Sequence, residues 1–146
     1  MKGIVCKVCS YVAINEIVPE QCPVCGAKSF IEKDDALKTS ADKAEKGETE
    51  KKHIPDIKIH KACGLIPDAC NDVHVKIGEI LHPMLTEHNI QHVDLYANRE
   101  FISRVMFTPD RLNPVASIHL KSGFSGKLAA VELCNVHGLW FNEVDF

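Results

Sequence analysis

The sequence predicts a mainly β protein, in which a small metal-binding module precedes an antiparallel β-sandwich of immunoglobulin-like type with about seven strands. Four of the seven cysteines lie in residues 1–33, which carry little hydrophobic bulk. A charged stretch at 34–52 separates them from residues 53–146, where short apolar runs alternate with turn residues. About seven short strands in about 94 residues are typical of such a sandwich.

The composition is that of an ordinary folded domain, with 45% hydrophobic and 25% charged residues in a chain of 146. A net charge of −3 argues against a chain-wide nucleic-acid surface. No apolar run approaches the roughly 18–20 residues of a membrane helix, and the N-terminus lacks the apolar core of a signal peptide. We therefore expect a cytoplasmic protein that binds neither nucleic acid nor membranes, with cysteines that ligate metal rather than form disulfides.

The module at 1–33 contains two Cys-x2-Cys pairs, Cys6 with Cys9 and Cys22 with Cys25, separated by twelve residues. Two such tight turns place four thiolates around one tetrahedral ion. Zinc and iron both accept this ligand set, so spacing alone leaves the metal open.

The segment CKVCSYVAINEIVPEQCPVCGAKSFIE resembles the short rubredoxin-type module found at the end of rubrerythrins. The shared features are the twelve-residue gap, Tyr11, the Cys-Pro-Val-Cys-Gly run and Phe30. The resemblance implies one iron that transfers single electrons, with a structural zinc as the alternative. Ser10 stands where such modules usually have glycine.

Residues 34–52 are expected to form a solvated, partly helical linker, because eleven of these nineteen residues are charged and none is aromatic. The strands expected after it are Ile54–His60, Val73–Ile80, Ile90–Ala97, Glu100–Thr108, Val115–Lys121, Lys127–Leu133 and Leu139–Phe146. The runs VHVKIGEI and HVDLY alternate apolar with polar residues, which predicts half-buried strands. Asn98-Arg99 is a candidate for a tight hairpin turn.

Thiol and imidazole side chains recur in this third unit at spacings that suit a soft-to-borderline metal. Cys134 and His137 lie three residues apart, His82 and His88 flank a proline turn, and His53 begins the unit. The other four histidines stand in strand contexts without a partner at ligand spacing, and we interpret them as plain strand residues: His60, His74, His92 and His119.

Residues 52–146 resemble the superoxide reductases, a family that includes the neelaredoxins and desulfoferrodoxins. Three motifs carry the resemblance in this order: Lys-His-Ile-Pro, His-Pro-x-x-x-Glu-His-x-Ile and Cys-Asn-x-His-Gly-Leu-Trp. The family fold is an immunoglobulin-like sandwich, in agreement with the strand count.

The resemblance implies one mononuclear iron, with His53, His82, His88 and His137 as equatorial ligands, Cys134 as the axial thiolate and the sixth position open. It also implies that Lys52 attracts superoxide, which is reduced by one electron to hydrogen peroxide. A rubredoxin-type or other donor, including the fused module, would return the electron. Family members form dimers or tetramers, so we expect a homo-oligomer.

Two departures from the family bear on this interpretation. Lys51 stands where many members carry a glutamate that closes the sixth position, which leaves Glu50, water or hydroxide as replacements. Cys63 and Cys70 flank a Pro-containing loop, and we expect reduced structural thiols there in preference to a reversible disulfide.

The N-terminal module also differs from that of two-domain desulfoferrodoxins, whose second cysteine pair is adjacent.

Two other functions remain at this point. The chain could be a zinc-containing interaction protein whose sandwich serves as a sensor or scaffold, and a colourless protein would favour that reading. It could also dismutate superoxide, although an electron-donating thiolate disfavours the required oxidation of superoxide by iron(III).

Overall fold

The computed structural model describes residues 1–40 and 47–146, and these two stretches are mainly β, as expected. They contain one short helix, α1 (Glu48–His53), and ten strands. The strands are β1 (Gly3–Cys6), β2 (Val12–Ala13), β3 (Phe30–Lys33), β4 (Pro55–His60), β5 (Cys70–Ile77), β6 (Ile90–Ala97), β7 (Glu100–Met106), β8 (Val115–Lys121), β9 (Lys127–Cys134) and β10 (Gly138–Asp145). Neither stretch contains a helix long and apolar enough to cross a bilayer.

Two antiparallel sheets, ordered β10-β9-β6-β7 and β4-β5-β8, form the expected seven-stranded sandwich. The alternation of β5 explains the packing: Val73, Val75 and Ile77 are buried, whereas the intervening side chains are half-exposed. The buried side chains pack against Val93 and Leu95 of β6. The prediction of a half-buried strand is confirmed for VHVKI, but β5 begins three residues earlier than expected, at Cys70, and ends three residues earlier, at Ile77.

The predicted hairpin turn at Asn98-Arg99 joins β6 to β7. Both residues have positive φ, 49° and 66°, which is the backbone that a two-residue hairpin loop requires. Beyond the hairpin, the register shifts by one residue between Leu95 and Tyr96, and Asp94 of β6 then faces Arg104 of β7.

The N-terminal sheet, ordered β2-β1-β3, packs on the outer face of the four-stranded sheet. Ile4, Val12 and Ile14 share a buried cluster with Tyr96 and Val131, and the Tyr96 hydroxyl donates a hydrogen bond to the Val12 carbonyl at 2.8 Å. The molecule therefore has three layers.

This docking makes one prediction from the strand pattern wrong. The run HVDLY predicts a strand with one solvated face, yet β6 is buried on both faces, including the polar residues His92 and Asp94. The outer face of β6 is covered by the module, a contact that the local alternation of the strand does not encode.

The charged segment also begins with packed residues. Leu37 is buried and exchanges backbone hydrogen bonds with Met1, and Lys38 pairs with β10 through Leu139 and Phe141. The helical part of the segment lies at its end, in α1. Its middle, residues 41–46, lies outside the described residues.

Candidate metal centres

One donor atom from each of His53, His82, His88, Cys134 and His137 lies within 4.8 Å of the others. His53 is the last residue of α1. The carbonyls of Lys51 and Ile54 accept hydrogen bonds from the N–H groups of Ile80 and Gly78, which joins this part of the chain to the loop after β5. That loop carries His82 and His88, and the β9–β10 hairpin supplies the other two. The structure thus brings together all five residues that the family motifs point to.

Two buried imidazoles have their tautomers set by backbone carbonyls. His53 Nδ1 lies 2.6 Å from the Thr49 carbonyl oxygen, and His82 Nδ1 lies 2.7 Å from that of Pro83. A carbonyl only accepts, so each Nδ1 carries the hydrogen and each Nε2 presents a lone pair. The two Nε2 atoms nevertheless lie 3.1 Å apart. Facing lone pairs repel each other, and a bound cation removes that repulsion.

A proton is a poor candidate for that cation. Burial lowers the pKa of His82 to about 4, because the charged ring is poorly solvated there. Burial also lowers the pKa of His88. Neutral imidazoles are the form that ligates metals, so the environment favours a metal ion over a proton.

The four imidazoles occupy the corners of an approximate square. Ring centroids along its sides are 4.6 Å apart for His53–His82, 4.6 Å for His82–His88, 5.0 Å for His88–His137 and 4.7 Å for His137–His53. The His53–His88 diagonal is 6.3 Å. His88 Nε2 is buried without a hydrogen-bond partner among the described residues. This arrangement suits four nitrogen ligands that would hold one ion.

Cys134 is the last residue of β9, and its thiol lies beside the square. Its Sγ is 3.6 Å from both His82 Nε2 and His137 Nδ1, and the His137 backbone N–H donates to it at 3.4 Å. Gly138 adopts a positive φ of 78° where the hairpin closes, which places Cys134 and His137 on one short loop. Burial raises the pKa of the thiol, and a bound metal ion would deprotonate it.

The donor set therefore fits a mononuclear non-haem iron with four histidines and one cysteine. Imidazole and thiolate ligands suit first-row transition metals, and carbonyl partners behind His53 and His82 fix their orientation. Both the lone-pair contact and the square of rings are features of the protein side chains themselves.

Lys52 lies next to this centre and forms an ion pair with Glu48, one helical turn earlier. Its charge is among the causes that lower the pKa of His88, so its field reaches that imidazole. Glu50 and Lys51 instead line a groove of about 420 Å³ with Asp56 and other residues, none of them one of the five donors.

The N-terminal cysteines form a second group of donors. Cys6 Sγ lies 3.6 Å from Cys25 Sγ, and Cys9 Sγ lies 3.6 Å from Cys22 Sγ. The two cysteine turns have the same backbone hydrogen bond. The N–H of Ser10 donates to the carbonyl of Cys6 at 3.1 Å, and the N–H of Gly26 donates to the carbonyl of Cys22 at 2.9 Å. This cluster fits the iron site of a rubredoxin-like module.

Sequence reasoning missed two residues beside the centre. Glu132 precedes Cys134 by two positions on β9, is fully buried, and has no hydrogen-bond partner for either oxygen among the described residues. Burial raises its pKa well above the usual range. Trp140 stacks on His53 with centroids 4.8 Å apart. An acid inside the apolar run AAVELC was the available signal for Glu132.

The interpretation of His119 as a strand residue without a partner is wrong. Its imidazole contacts Cys63, Cys70 and Asp72, and the four residues form a third group of metal-type donors. Both cysteines in this group are free thiols, in agreement with the preferred expectation for them.

Comparison with known families gives two matches that together span most of the chain. The family described as desulfoferrodoxin matches residues 45–143, and the rubredoxin-like domain of rubrerythrin matches residues 5–30.

Individual proteins agree with the family match. The superoxide reductase of Pyrococcus abyssi is 40% identical over 103 residues, covering 64% of this chain and 85% of the relative. That of Pyrococcus furiosus is 37% identical over 112 residues, covering 64% and 86%. Among solved structures, the superoxide reductase (neelaredoxin) from Ignicoccus hospitalis has a TM-score of 0.61 at 29% identity, over 76% of this chain and 94% of that chain. The superoxide reductase from Nanoarchaeum equitans has a TM-score of 0.55 at 29% identity, over 65% and 93%.

Proposed function

The chain belongs to the desulfoferrodoxin family, and from that premise we propose that it is a superoxide reductase with a fused electron-transfer module. The observation that carries the proposal is the square of four imidazoles with the Cys134 thiol beside it. Iron(II) held by these residues would supply the electron that, together with two protons, converts superoxide into hydrogen peroxide.

The protein side chains have distinct parts in this proposal. His53, His82, His88 and His137 hold the ion through neutral nitrogens, and the carbonyls of Thr49 and Pro83 keep two of the rings in the required tautomer. Cys134 provides a thiolate, which donates electron density and favours reduction of a ligand over its oxidation. This preference supports a reductase over a dismutase.

Lys52 attracts the anionic substrate. Its side chain is one-third exposed, at 33%, and its charge reaches the His88 imidazole. Lys52 forms its ion pair with Glu48, whereas Glu50 lines the groove together with Lys51. We therefore do not assign Glu50 the role of the family glutamate that closes the sixth position.

We further propose that the N-terminal module of the same chain returns the electron. Cys6, Cys9, Cys22 and Cys25 would hold one iron. A surface groove of about 570 Å³ is lined by Cys9 of the module and by Leu133 and Asn135, which flank Cys134. The Arg104 guanidinium donates to the Cys9 carbonyl at 2.9 Å, so a protein contact joins the module to the four-stranded sheet.

A stopped-flow experiment tests this route. Protein reduced at both irons is mixed with a limiting pulse of superoxide, and the absorbance of the oxidised four-cysteine iron is followed. Transfer within one chain predicts a first-order rate constant that stays the same over a tenfold range of protein concentration. A rate that rises in proportion to concentration would place the transfer between separate molecules.

The substitution Cys134→Ser tests the function itself. We expect the rate of superoxide consumption with excess donor to fall by more than about tenfold, because the hydroxyl is a much weaker ligand and electron donor. The visible spectrum of the four-cysteine iron serves as the internal control for folding. An unchanged rate in a variant with that spectrum intact would rule out the proposed centre.

The boundaries at 33 and 52, a cytoplasmic location and a dimeric or tetrameric state are also part of the proposal. Thiolate ligands must remain reduced, which the cytoplasm ensures. Sedimentation of the iron-loaded chain measures the oligomeric state directly.

A further inference from the structure

A third group of metal-type donors lies on the solvent-facing side of the β4-β5-β8 sheet, where the loop 61–69 joins β4 to β5. Cys70 and Asp72 are two residues apart on β5, so their side chains lie on the same face. Asp72 pairs directly with His119 on β8. Cys63 reaches the same place from the loop.

Three of the donor atoms surround the fourth, an imidazole nitrogen. His119 Nδ1 lies 2.9 Å from Asp72 Oδ1, 3.2 Å from Cys63 Sγ and 3.4 Å from Cys70 Sγ. Cys70 Sγ lies 3.9 Å from Asp72 Oδ1. Asp72 Oδ1 accepts hydrogen bonds from the Nδ1–H of His119 and from the Cys70 thiol, so hydrogen bonds account for part of this cluster. The approach of both sulfurs to the same imidazole nitrogen is, in addition, the arrangement that ligands of one metal ion adopt.

The spacing resembles that of a metal site. Zinc–ligand distances of about 2.0–2.3 Å at tetrahedral angles place donor atoms roughly 3.3–3.8 Å apart. Close donor pairs in the other two candidate centres of this molecule lie 3.1–3.6 Å apart. The third group falls close to both ranges.

The backbone supports Cys63 as a ligand. The N–H of Leu65, two residues later, donates to its Sγ at 3.4 Å. Cys134 receives the same kind of bond, at the same distance, from His137. Backbone N–H groups aimed at sulfur stabilise a thiolate, and they are typical of turns that hold metals.

We propose that Cys63, Cys70, Asp72 and His119 form a third metal site that binds one Zn²⁺ ion. Two thiolates, one imidazole and one carboxylate complete a tetrahedral shell, and each of these groups is a ligand type that zinc accepts. A disulfide between the two cysteines would use only two of the four groups and would not use the imidazole nitrogen that both sulfurs approach.

The site would fasten the loop 61–69 to β5 and β8. Both thiols are buried, whereas the tip of the loop carries the exposed apolar residues Leu65 and Ile66. Zinc has no redox chemistry here, so the site would act on structure and leave electron transfer to the other two centres.

Metal counting on the full, iron-loaded chain tests the proposal. After Co²⁺ or Zn²⁺ is added and excess metal removed, we expect one further equivalent per chain. Bound Co²⁺ should give thiolate charge-transfer bands and the visible bands of a tetrahedral ion. The double variant Cys63→Ser/Cys70→Ser should lose this equivalent and these bands while its iron content stays the same.

A matched control lies on the same face of β5. His74, two residues after Asp72, contacts Ser117 at 2.9 Å and belongs to none of the three donor groups. His74→Gln should keep the third equivalent, whereas His119→Gln, which retains both thiols, should weaken its affinity by at least tenfold. This single substitution also covers the case in which the double variant fails to fold.

Limited proteolysis gives an independent readout. Zinc should slow chymotryptic cleavage after Leu65 in the native chain and leave the rate unchanged in the double variant. Equal metal content and spectra in the native chain and both site variants would overturn the proposal. A Cys63–Cys70 disulfide in protein purified and loaded without air would overturn it as well.

Discussion

At the scale of single residues, Lys52 and Lys51 are adjacent cations in different surroundings. Lys52 lies beside the imidazoles, and Lys51 lines the groove with Asp56. We predict that Lys52→Met lowers the second-order rate constant with superoxide roughly tenfold at low ionic strength, because local positive charge raises the encounter rate. Lys51→Met is the matched control, with an expected change below about twofold. Equal effects would mean that net charge matters and position does not.

Ser10 has a φ of 61°, in the left-handed region, and Gly26 occupies the equivalent place in the second cysteine turn with a φ of 76°. A residue with a Cβ is strained there, by about 1 kcal/mol or more. Ser10→Gly should therefore stabilise the module by about 0.5 kcal/mol or more once the flexibility of glycine is allowed for. Denaturant unfolding followed at the absorbance of the four-cysteine iron measures this.

Gly26→Ala provides the opposite test. The added Cβ would lie 3.0 Å from Gln21 Nε2 and would adopt the same strained φ. It should lower the unfolding midpoint that Ser10→Gly raises. Stabilisation by both substitutions, or by neither, would contradict a strain-based account of the two turns.

His92 makes stability depend on pH. Burial, with the nearby Arg104 charge, lowers the pKa of His92 from 6.5 to about 3. The folded chain stays neutral at His92 while the unfolded chain binds a proton below pH 6.5, so stability is lost as the pH falls from 6.5 towards 3. The slope for one proton is about 1.4 kcal/mol per pH unit.

The substitution His92→Phe should remove this contribution. The unfolding free energies of the variant and the native chain are compared from pH 7 to pH 4. Below pH 6, the slope of unfolding free energy against pH should be smaller for the variant by the amount that corresponds to about one bound proton. Parallel curves for the two proteins would show that His92 is not held neutral by the fold.

At the scale of the elements, one buried ion pair joins β6, β7 and the module. Arg104 binds both oxygens of Asp94, one of them at 2.7 Å, and also the Cys9 carbonyl at 2.9 Å. Arg104→Met leaves the Asp94 carboxylate buried without its cation, which should destabilise the chain by about 3–5 kcal/mol. Guanidinium unfolding of the iron-loaded protein measures the loss.

An exposed pair on the same sheet serves as the control. Arg99 contacts Glu143 at 3.2 Å with a partly exposed side chain. Arg99→Met should cost less than about 1 kcal/mol, because solvent screens exposed pairs. A similar small loss for Arg104→Met would mean that the module does not depend on this contact.

The elements differ in how well their sequence predicts them. The alternation of apolar and polar residues predicted the bounds of β6 and β8 correctly, because the inward-facing residues of a strand recur at every second position. It misjudged the outer face of β6, because burial there depends on a layer that is remote in sequence. The family motifs identified the five donors of the main centre, whereas His119 was missed because its partners, Cys63 and Cys70, are about 50 residues away.

At the scale of the whole molecule, the four-stranded sheet lies between two functional parts. Its inner face builds the sandwich core, and its outer face binds the module. β9 and β10 of this sheet carry Cys134 and His137 at their shared end, while β7 contacts Cys9 through Arg104. One sheet therefore connects both candidate iron centres, and the electron transfer proposed within the chain would follow this connection.

The central claim is tested most directly by counting products. Iron-loaded protein, reduced without air, receives a known amount of superoxide, and the peroxide formed and the iron oxidised are measured. The account predicts one peroxide and one iron(III) for each superoxide consumed. About half a peroxide per superoxide, with oxygen released and turnover continuing without a donor, would contradict it and identify a dismutase.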